Sequence, residues 1–260
     1  MIVNPIKEGW EVIYHRAHAL LAAQIGGPWM AATRPDRWVE ILAAISAHDD
    51  LAEEWEGGQL NDAGAPMDFR QSKGDSLEPL YALVESALYR GRWVAMLTSM
   101  HLCFISEPSR AQDAKVARFL DEQSELQKDW RKALKVSKKE AEAAYAFMQW
   151  CDRFSLILAM RQIPMRERAL EISKGPDGVR YDLLQHPDGT LTVTPWPFQD
   201  AAFVVRCEAT YLTQLSFKND AELVKALKGA EVRELIWHIG KRAESNTVAI
   251  TDESYEPDKL

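Results

Sequence analysis

Five side chains of the types that bind metal ions lie within otherwise apolar helical segments. They are His18, the adjacent pair His48 and Asp49, then His101 and Asp152. Apolar residues recur beside them at the three- and four-residue spacing of one helix face. Because a helix turns such a face towards the protein core, the five polar groups are predicted to be buried.

The two carboxylates, Asp49 and Asp152, need a partner if they are buried. A buried carboxylate is costly unless it is paired with a cation, hydrogen-bonded or bound to a metal ion. Imidazole and carboxylate ligands together suit divalent ions such as Mn, Fe, Zn, Mg, Co or Ni, and the residues do not select among them. Since the five groups come from four helical segments, they predict a metal site inside a helical bundle.

The same positions also have an interpretation without a metal. A single histidine on an apolar helix face is commonly a core residue with satisfied hydrogen bonds. Asp152 precedes Arg153, and it could form an ion pair or join neighbouring helices by hydrogen bonds. A buried hydrogen-bond network therefore stays open as the alternative to a metal site.

The predicted site divides into groups that hold the ion and groups that transfer protons. The assigned metal ligands are His18, His48, Asp49 and Asp152. Proton transfer is assigned to His101 and to carboxylates that follow the His-Asp pair, namely Asp50 and Glu53.

The elements that must position these groups change in character once along the chain. Between residues 35 and 162 the apolar spacing is helical, and Ser137 with Glu140 forms a capping-box pattern before the helix of Asp152. After Pro164, short strand-like runs alternate with turns such as GPDG and HPDG. Residues 10–13 are predicted to form a further strand, which could join that second part, followed by a helix to about residue 25.

The order of ligands resembles that of the HD-domain superfamily of metal-dependent phosphohydrolases, in which H…HD…D lie on separate helices. The resemblance covers about residues 14–162 and implies a helical metal site that hydrolyses phosphate esters. Two features depart from the pattern. Asp50-Leu51 stands where Ile-Gly follows the pair, and His101 is a single histidine where dinuclear members supply two.

A closer resemblance, to the bacterial and archaeal domain-of-unknown-function family 3891, extends over nearly the whole chain. It rests on HALLAAQI, AHDD followed by EWE, GAPMDF, CDRFSL and PWPF. The chain departs from that family directly after the His-Asp pair, where Asp50-Leu51-Ala52 stands in place of Asp-Gly-Trp. This resemblance supports His18, His48, Asp49, Asp50 and Asp152 as site residues but implies no particular reaction.

Together the patterns predict an α+β protein with a mainly α-helical, HD-like bundle followed by a small mixed α/β layer. The predicted domains are residues 1–164 and residues 165–260, the second packed on the first. An acidic tail from about residue 242 is expected to be loose.

Composition limits the partners and the location. The net charge is −8, so binding to nucleic acid by phosphate neutralisation is not expected. Three separated cysteines in apolar runs predict reduced thiols and a cytoplasmic protein. Neither a signal peptide nor a membrane span is expected, and the composition does not indicate an oligomeric state.

The favoured function is a metal-dependent hydrolase of phosphate esters, with nucleotides among the substrates considered. The alternatives are a His/carboxylate iron oxygenase and a non-catalytic binding protein. Acidic residues after His48-Asp49 would repel a phosphate unless a metal or basic groups offset them. The basic candidates for binding a phosphate are Arg70, Lys73, Arg90, Arg92 and Arg153. The alternative for each of them is an ordinary charged residue on the protein surface.

Overall fold

The computed structural model describes residues 1–50, 59–71, 76–164, 166 and 168–241. Among these residues, no helix combines the length and the apolar character that crossing a bilayer requires. The α-helices of the described ranges are α1 (His15–Gly26), α2 (Trp38–Ala47), α3 (Glu78–Leu88), α4 (Arg92–Ser106), α5 (Ala114–Leu134), α6 (Lys138–Ala159) and α7 (Asp220–Gly229). The strands are β1 (Ile2–Ile6), β2 (Gly9–Ile13), β3 (Leu170–Lys174), β4 (Arg180–Gln185), β5 (Leu191–Thr194), β6 (Ala202–Leu212) and β7 (Glu231–Gly240).

The strands of the described ranges form one sheet in the order β1-β2-β6-β7-β5-β4-β3. Neighbours pair antiparallel except β5 and β7, which pair parallel. The longest pairing joins β6 to β7, in register from Ala202 opposite Gly240 to Tyr211 opposite Glu231. The first two strands of the chain therefore join a sheet whose other strands all follow α6.

The fold class predicted from the sequence, α+β, is confirmed. The predicted strand at residues 10–13 is present as β2, and it joins the sheet by pairing with β6. The sheet thus takes strands from both sides of residue 164, and the division into two domains at that position stays a prediction. The expected tail from about residue 242 lies outside the described residues.

The larger of two apolar clusters joins the helices to the sheet and includes the four aromatic rings of Trp29, Trp150, Phe198 and Tyr181. The ring centroids of Trp29 and Trp150 lie 5.0 Å apart, edge to face. Phe198, from the PWPF segment, lies 6.2 Å from Trp29 on another side. Tyr181 of β4 contacts both tryptophans at 5.6 and 5.7 Å. These contacts fix α6, which carries Trp150, against the sheet.

Helix α6 begins at the predicted capping box. The Ser137 hydroxyl accepts a hydrogen bond from the Glu140 amide, and the Glu140 carboxylate accepts one from the Ser137 amide. Gly26, the last residue of α1, lies against α6. A β-carbon on Gly26 would lie 3.1 Å from Cys151 Sγ and 3.2 Å from the Phe147 ring. The absence of a side chain at Gly26 therefore lets α1 and α6, two of the ligand-bearing helices, approach closely.

A buried carboxylate outside the predicted site joins the sheet to the end of α6. Glu11 of β2 is fully buried. It accepts hydrogen bonds from Arg161, from the Tyr211 hydroxyl at 2.6 Å and from the Asn4 amide at 3.1 Å. Burial alone would raise the pKa of Glu11, but these hydrogen bonds, the one from Arg161 above all, hold it below the usual value of 4.5.

We expect Glu11→Gln to lower the free energy of unfolding by about 2 kcal/mol near neutral pH, because it leaves the buried partners of a carboxylate unsatisfied. The folded pKa of Glu11 lies below the unfolded one, so its contribution is present above about pH 4.5 and is lost as the pH falls through the folded value. Urea unfolding of both proteins at about pH 7 and about pH 3 measures this.

The matched control is Glu231→Gln, which removes an exposed carboxylate paired with Arg233 in the same sheet. It is expected to leave the free energy of unfolding nearly unchanged at both pH values. An equal loss for Glu11→Gln at both pH values would contradict the assigned charge state of Glu11.

Candidate metal centre

Four segments bring the predicted site residues together. Helix α1 carries His18, α4 carries His101 and α6 carries Asp152. Helix α2 ends at Ala47, so His48 caps its carboxyl end and Asp49 follows directly. The stripe of apolar residues on each helix faces the core, and the polar member of each stripe is carried inward with it.

The four predicted ligands converge in an alternating arrangement of nitrogen and oxygen atoms. His18 Nε2 lies 3.1 Å from Asp49 Oδ2 and 3.6 Å from Asp152 Oδ1. His48 Nε2 lies 3.6 Å from Asp49 Oδ2 and 3.2 Å from Asp152 Oδ1. Each imidazole therefore faces both carboxylates, and each carboxylate faces both imidazoles.

The backbone sets which nitrogen each imidazole turns towards the cluster. His48 Nδ1 lies 2.6 Å from the carbonyl oxygen of Ile45, and His18 Nδ1 lies 3.4 Å from that of His15. A carbonyl oxygen only accepts, so it favours a proton on Nδ1 and leaves Nε2 as the nitrogen that can coordinate an ion. This support for the far ring nitrogen is the arrangement found behind metal-bound histidines.

His18 Nε2 gives a direct test of whether an ion fits. The atom is buried and, within the described part of the chain, makes no hydrogen bond, although Asp49 Oδ2 is only 3.1 Å away. Metal–ligand bonds of about 2.0–2.2 Å in a tetrahedral centre place ligand atoms about 3.3–3.6 Å apart. The four separations between histidine nitrogen and carboxylate oxygen, 3.1 to 3.6 Å, lie at or near this spacing. Among the described residues, the donor atoms of His18, His48 and Asp152 lie within 4.8 Å of one another, and so do those of His48, Asp49 and His101. The donor set and its spacing therefore fit a divalent ion.

The charges in the cluster depend strongly on burial. Burial lowers the pKa of His18 to about 4, so this ring is neutral near pH 7. Burial alone would also lower the pKa of His48, but Asp49 and Asp152 raise it to about 9. Burial would raise the pKa of Asp152, yet the hydrogen bond with His48 lowers it to about 2. Burial would likewise raise the pKa of Asp49, but the neighbouring histidines lower it, and His48 has the largest lowering effect.

Near pH 7 the two carboxylates thus face one charged imidazole, His48. A divalent ion that takes the place of the His48 proton would balance both carboxylates. The side chains of His18 and His48 are only 2% and 0% exposed, whereas those of Asp49 and Asp152 are 22% and 13% exposed. The carboxylate side of the cluster is therefore the side that is partly accessible to solvent.

His101 lies beside the cluster, as predicted. Its ring centroid is 4.8 Å from that of His48, edge to face, and burial lowers its pKa. His101 Nδ1 is buried and has no hydrogen-bond partner among the described residues. A second unpartnered group, the Tyr145 hydroxyl, belongs to the ring next to His101, with centroids 6.3 Å apart.

Sequence reasoning missed Tyr145. It lies on α6 seven residues before Asp152, which is two helical turns and hence the same helix face. That spacing is the signal that could have identified it. Burial raises the pKa of Tyr145 beyond the ordinary range, so its hydroxyl remains a proton donor at any working pH.

The remaining predicted residues lie elsewhere. Asp50 follows Asp49 but pairs with guanidinium groups, Arg16 at 2.6 Å and Arg90 at 3.7 Å. Glu53 and Lys73 lie outside the described residues, and Arg92 is the first residue of α4. Of the other basic candidates, Arg70 pairs with Asp68, and Arg153 contacts Gln162. Arg90 is thus the basic candidate that the structure places beside the His-Asp segment.

A family model covers most of the chain. The model described as "Protein of unknown function (DUF3891)" matches residues 1–214. The matched range contains His18, His48, Asp49, His101 and Asp152. Neither the curated proteins nor the solved structures gave a match to this chain. Because the family model spans well over half of the sequence, the chain belongs to this family of proteins of unknown function.

Proposed function

We propose that this protein is a metal-dependent hydrolase that acts on small phosphate esters in the cytoplasm, with nucleotides among the candidate substrates. The observation that carries the proposal is the convergence of His18, His48, Asp49 and Asp152, with every histidine-to-carboxylate separation between 3.1 and 3.6 Å. The H…HD…D order of these ligands, which resembles that of HD-domain phosphohydrolases, supports the same reaction.

A divalent ion bound by these four residues would lower the pKa of a coordinated water and polarise a phosphoryl oxygen. The chain supplies the proton transfers. His101 is neutral near pH 7, because burial lowers its pKa, and its Nδ1 is unpartnered, so the ring can accept a proton from the attacking water. The Tyr145 hydroxyl keeps its proton, because burial raises its pKa, and it can donate a hydrogen bond to an oxygen of the ester. Asp50 and Glu53 remain predicted contributors to proton transfer.

The test combines metal content with hydrolysis. Protein freed of metal by a chelator is loaded with Mn, Mg, Zn, Co, Ni or Fe and assayed on a panel of phosphomonoesters and nucleotides. We expect about one equivalent of bound ion and hydrolysis that the chelator abolishes. His48→Ala should lose both. Wild-type protein that binds none of these ions, or that binds them without hydrolysing any phosphate ester, would contradict the proposal.

Two other functions are distinguished by the same experiment. Two histidines and two carboxylates also suit iron, so oxygen consumption by the iron-loaded protein would favour an oxygenase. The His48–Asp152 hydrogen bond, 3.2 Å long, supports a buried polar network in a non-catalytic protein. That function would be favoured if none of the ions changed the stability of the wild-type protein.

A further inference from the structure

We propose that the C-terminal segment of the chain, residues 242–260, docks as an additional strand on an open edge of β7. Strand β7 is the last strand of the described residues, and the segment follows it almost directly. The contact does not depend on a hydrolase activity, since none of its residues belongs to the ligand cluster.

Strand β7 is paired fully along one edge and at a single position along the other. With β6 it pairs from Glu231 to Gly240, which is its whole length. With β5, its other neighbour, the described residues pair only at Leu191 opposite Ile239. Residues 231–237 therefore present an open edge, where every second residue directs its backbone N–H and C=O groups away from β6. Such an edge is a template for a further strand.

An apolar groove of about 300 Å³ lies beside the open edge. Strand β7 contributes Leu235, Ile236 and Trp237 to its lining, while α6 and the residues after it contribute Leu158 and Ile163. The side chain of Ile236 is 48% exposed although it is apolar. A strand docked here would gain backbone hydrogen bonds from the edge and hydrophobic burial from the groove.

The C-terminal segment contains a run of the residue types that favour strands. Residues 247–251, TVAIT, have β-branched side chains at every position except Ala249. Ser245 and Asn246, which are common turn residues, come directly before this run. The sequence after β7 therefore offers a reversal of direction followed by a strand-like run.

The segment is long enough to reach the open edge. Lys241 still pairs with the sheet, because its amide donates to the carbonyl oxygen of Ala201 at 2.8 Å. A return from Lys241 to the level of Leu235 spans about 20 Å at about 3.3 Å per strand residue, and residues 242–247 also reach about 20 Å when extended. The strand-like run can therefore lie antiparallel beside β7.

Covalent attachment to β7 favours this segment over a strand from a second molecule. A short tether gives an effective concentration of about 1 mM, whereas a second copy at about 1 μM would be a thousand times more dilute. A dissociation constant of about 0.1 mM for the untethered segment would then keep the open edge occupied about nine-tenths of the time.

The test compares backbone amide hydrogen exchange, measured for each residue by NMR, in the full-length protein and in the full-length double variant Val248→Asp/Ile250→Asp. Amides that point to the open edge should exchange about tenfold more slowly in the wild type than in the double variant. The control is Ala243→Asp/Leu260→Asp, which adds the same charge outside the strand-like run. It should exchange as the wild type does.

A synthetic peptide of residues 242–260 tests the contact in the other direction. At about 1 mM it should restore slow exchange at the open edge of Val248→Asp/Ile250→Asp, and the further substitution Ile236→Lys in the groove should prevent this. If wild type and double variant exchange alike at the open edge, or the peptide has no effect there, the proposal is wrong. Protection that persists in the double variant and increases with protein concentration would identify a second copy as the occupant and would also overturn it.

Discussion

Asp152→Asn is expected to weaken divalent metal binding by at least about 100-fold, because Asp152 is one of the two carboxylates that both His18 and His48 face. The amide keeps the size of the side chain but loses the negative charge. An ion at a thousand times its dissociation constant stabilises a folded protein by about 4 kcal/mol. Thermal unfolding with and without the ion should show this gain for wild type and only a small part of it for the variant.

The matched control is Glu142→Gln on the same helix, where an exposed carboxylate pairs with Lys138 four residues away. It should bind the ion and respond to it as wild type does. A buried hydrogen-bond network makes a different prediction. Asp152→Asn would then lower the stability of the ion-free protein, and addition of metal would change the stability of neither protein. Equal metal affinity in wild type and Asp152→Asn would refute the assigned ligand set.

The largest expected effect on stability comes from Gly9→Ala at the start of β2. Gly9 has φ +142°, a region that favours glycine, and a β-carbon there would lie 1.8 Å from the carbonyl oxygen of Leu212. The clash is with backbone, so it can be relieved only by separating β2 from β6, which pair at Trp10 and Leu212. We expect a loss of about 3 kcal/mol or more in urea unfolding.

Gly178→Ala measures the cost of a positive φ at a position where no clash occurs. Gly178 also has a positive φ, +77°, but a β-carbon there would meet no atom within 4 Å. Its substitution should cost only about 1–2 kcal/mol, the price of a left-handed conformation for alanine. If the two variants lose the same free energy of unfolding, the close approach of Gly9 to β6 does not contribute to the loss.

Much of the site could be predicted from the sequence because its ligands interrupt apolar helix faces. His18, His101 and Asp152 each lie on a stripe whose burial is clear from three- and four-residue spacing, and burial of a polar group demands a partner. The start of the helix that carries Asp152 could be predicted equally well, since a capping box is a local sequence signal. Whether the four groups meet depends on helix packing, which periodicity does not describe.

The features that sequence reasoning missed depend on contacts between distant segments. Strand β1 contains Pro5 and no regular alternation, so nothing local marks it as a strand. Glu11 is buried because Arg161 and Tyr211, at least 150 residues away, satisfy it. The pairing of Arg16 with Asp50 likewise follows from the packing of α1 against α2. Such contacts are set by the assembled fold, whereas propensity and spacing report on neighbours in the chain.

The carboxyl end of helix α1 contacts strand β6 through the side chain of Gln24. The Gln24 side chain donates to the carbonyl oxygen of Arg206 at 2.9 Å and accepts from its amide at 3.0 Å. Strand β2 pairs with β6 only at residues 210–212, so Gln24 occupies backbone groups of β6 beyond that pairing. A free strand edge is a template for a strand from another molecule. Gln24 therefore occupies backbone groups of β6 with which a strand of another molecule could otherwise pair. The helix that supplies His18 thus also opposes association through this part of the sheet.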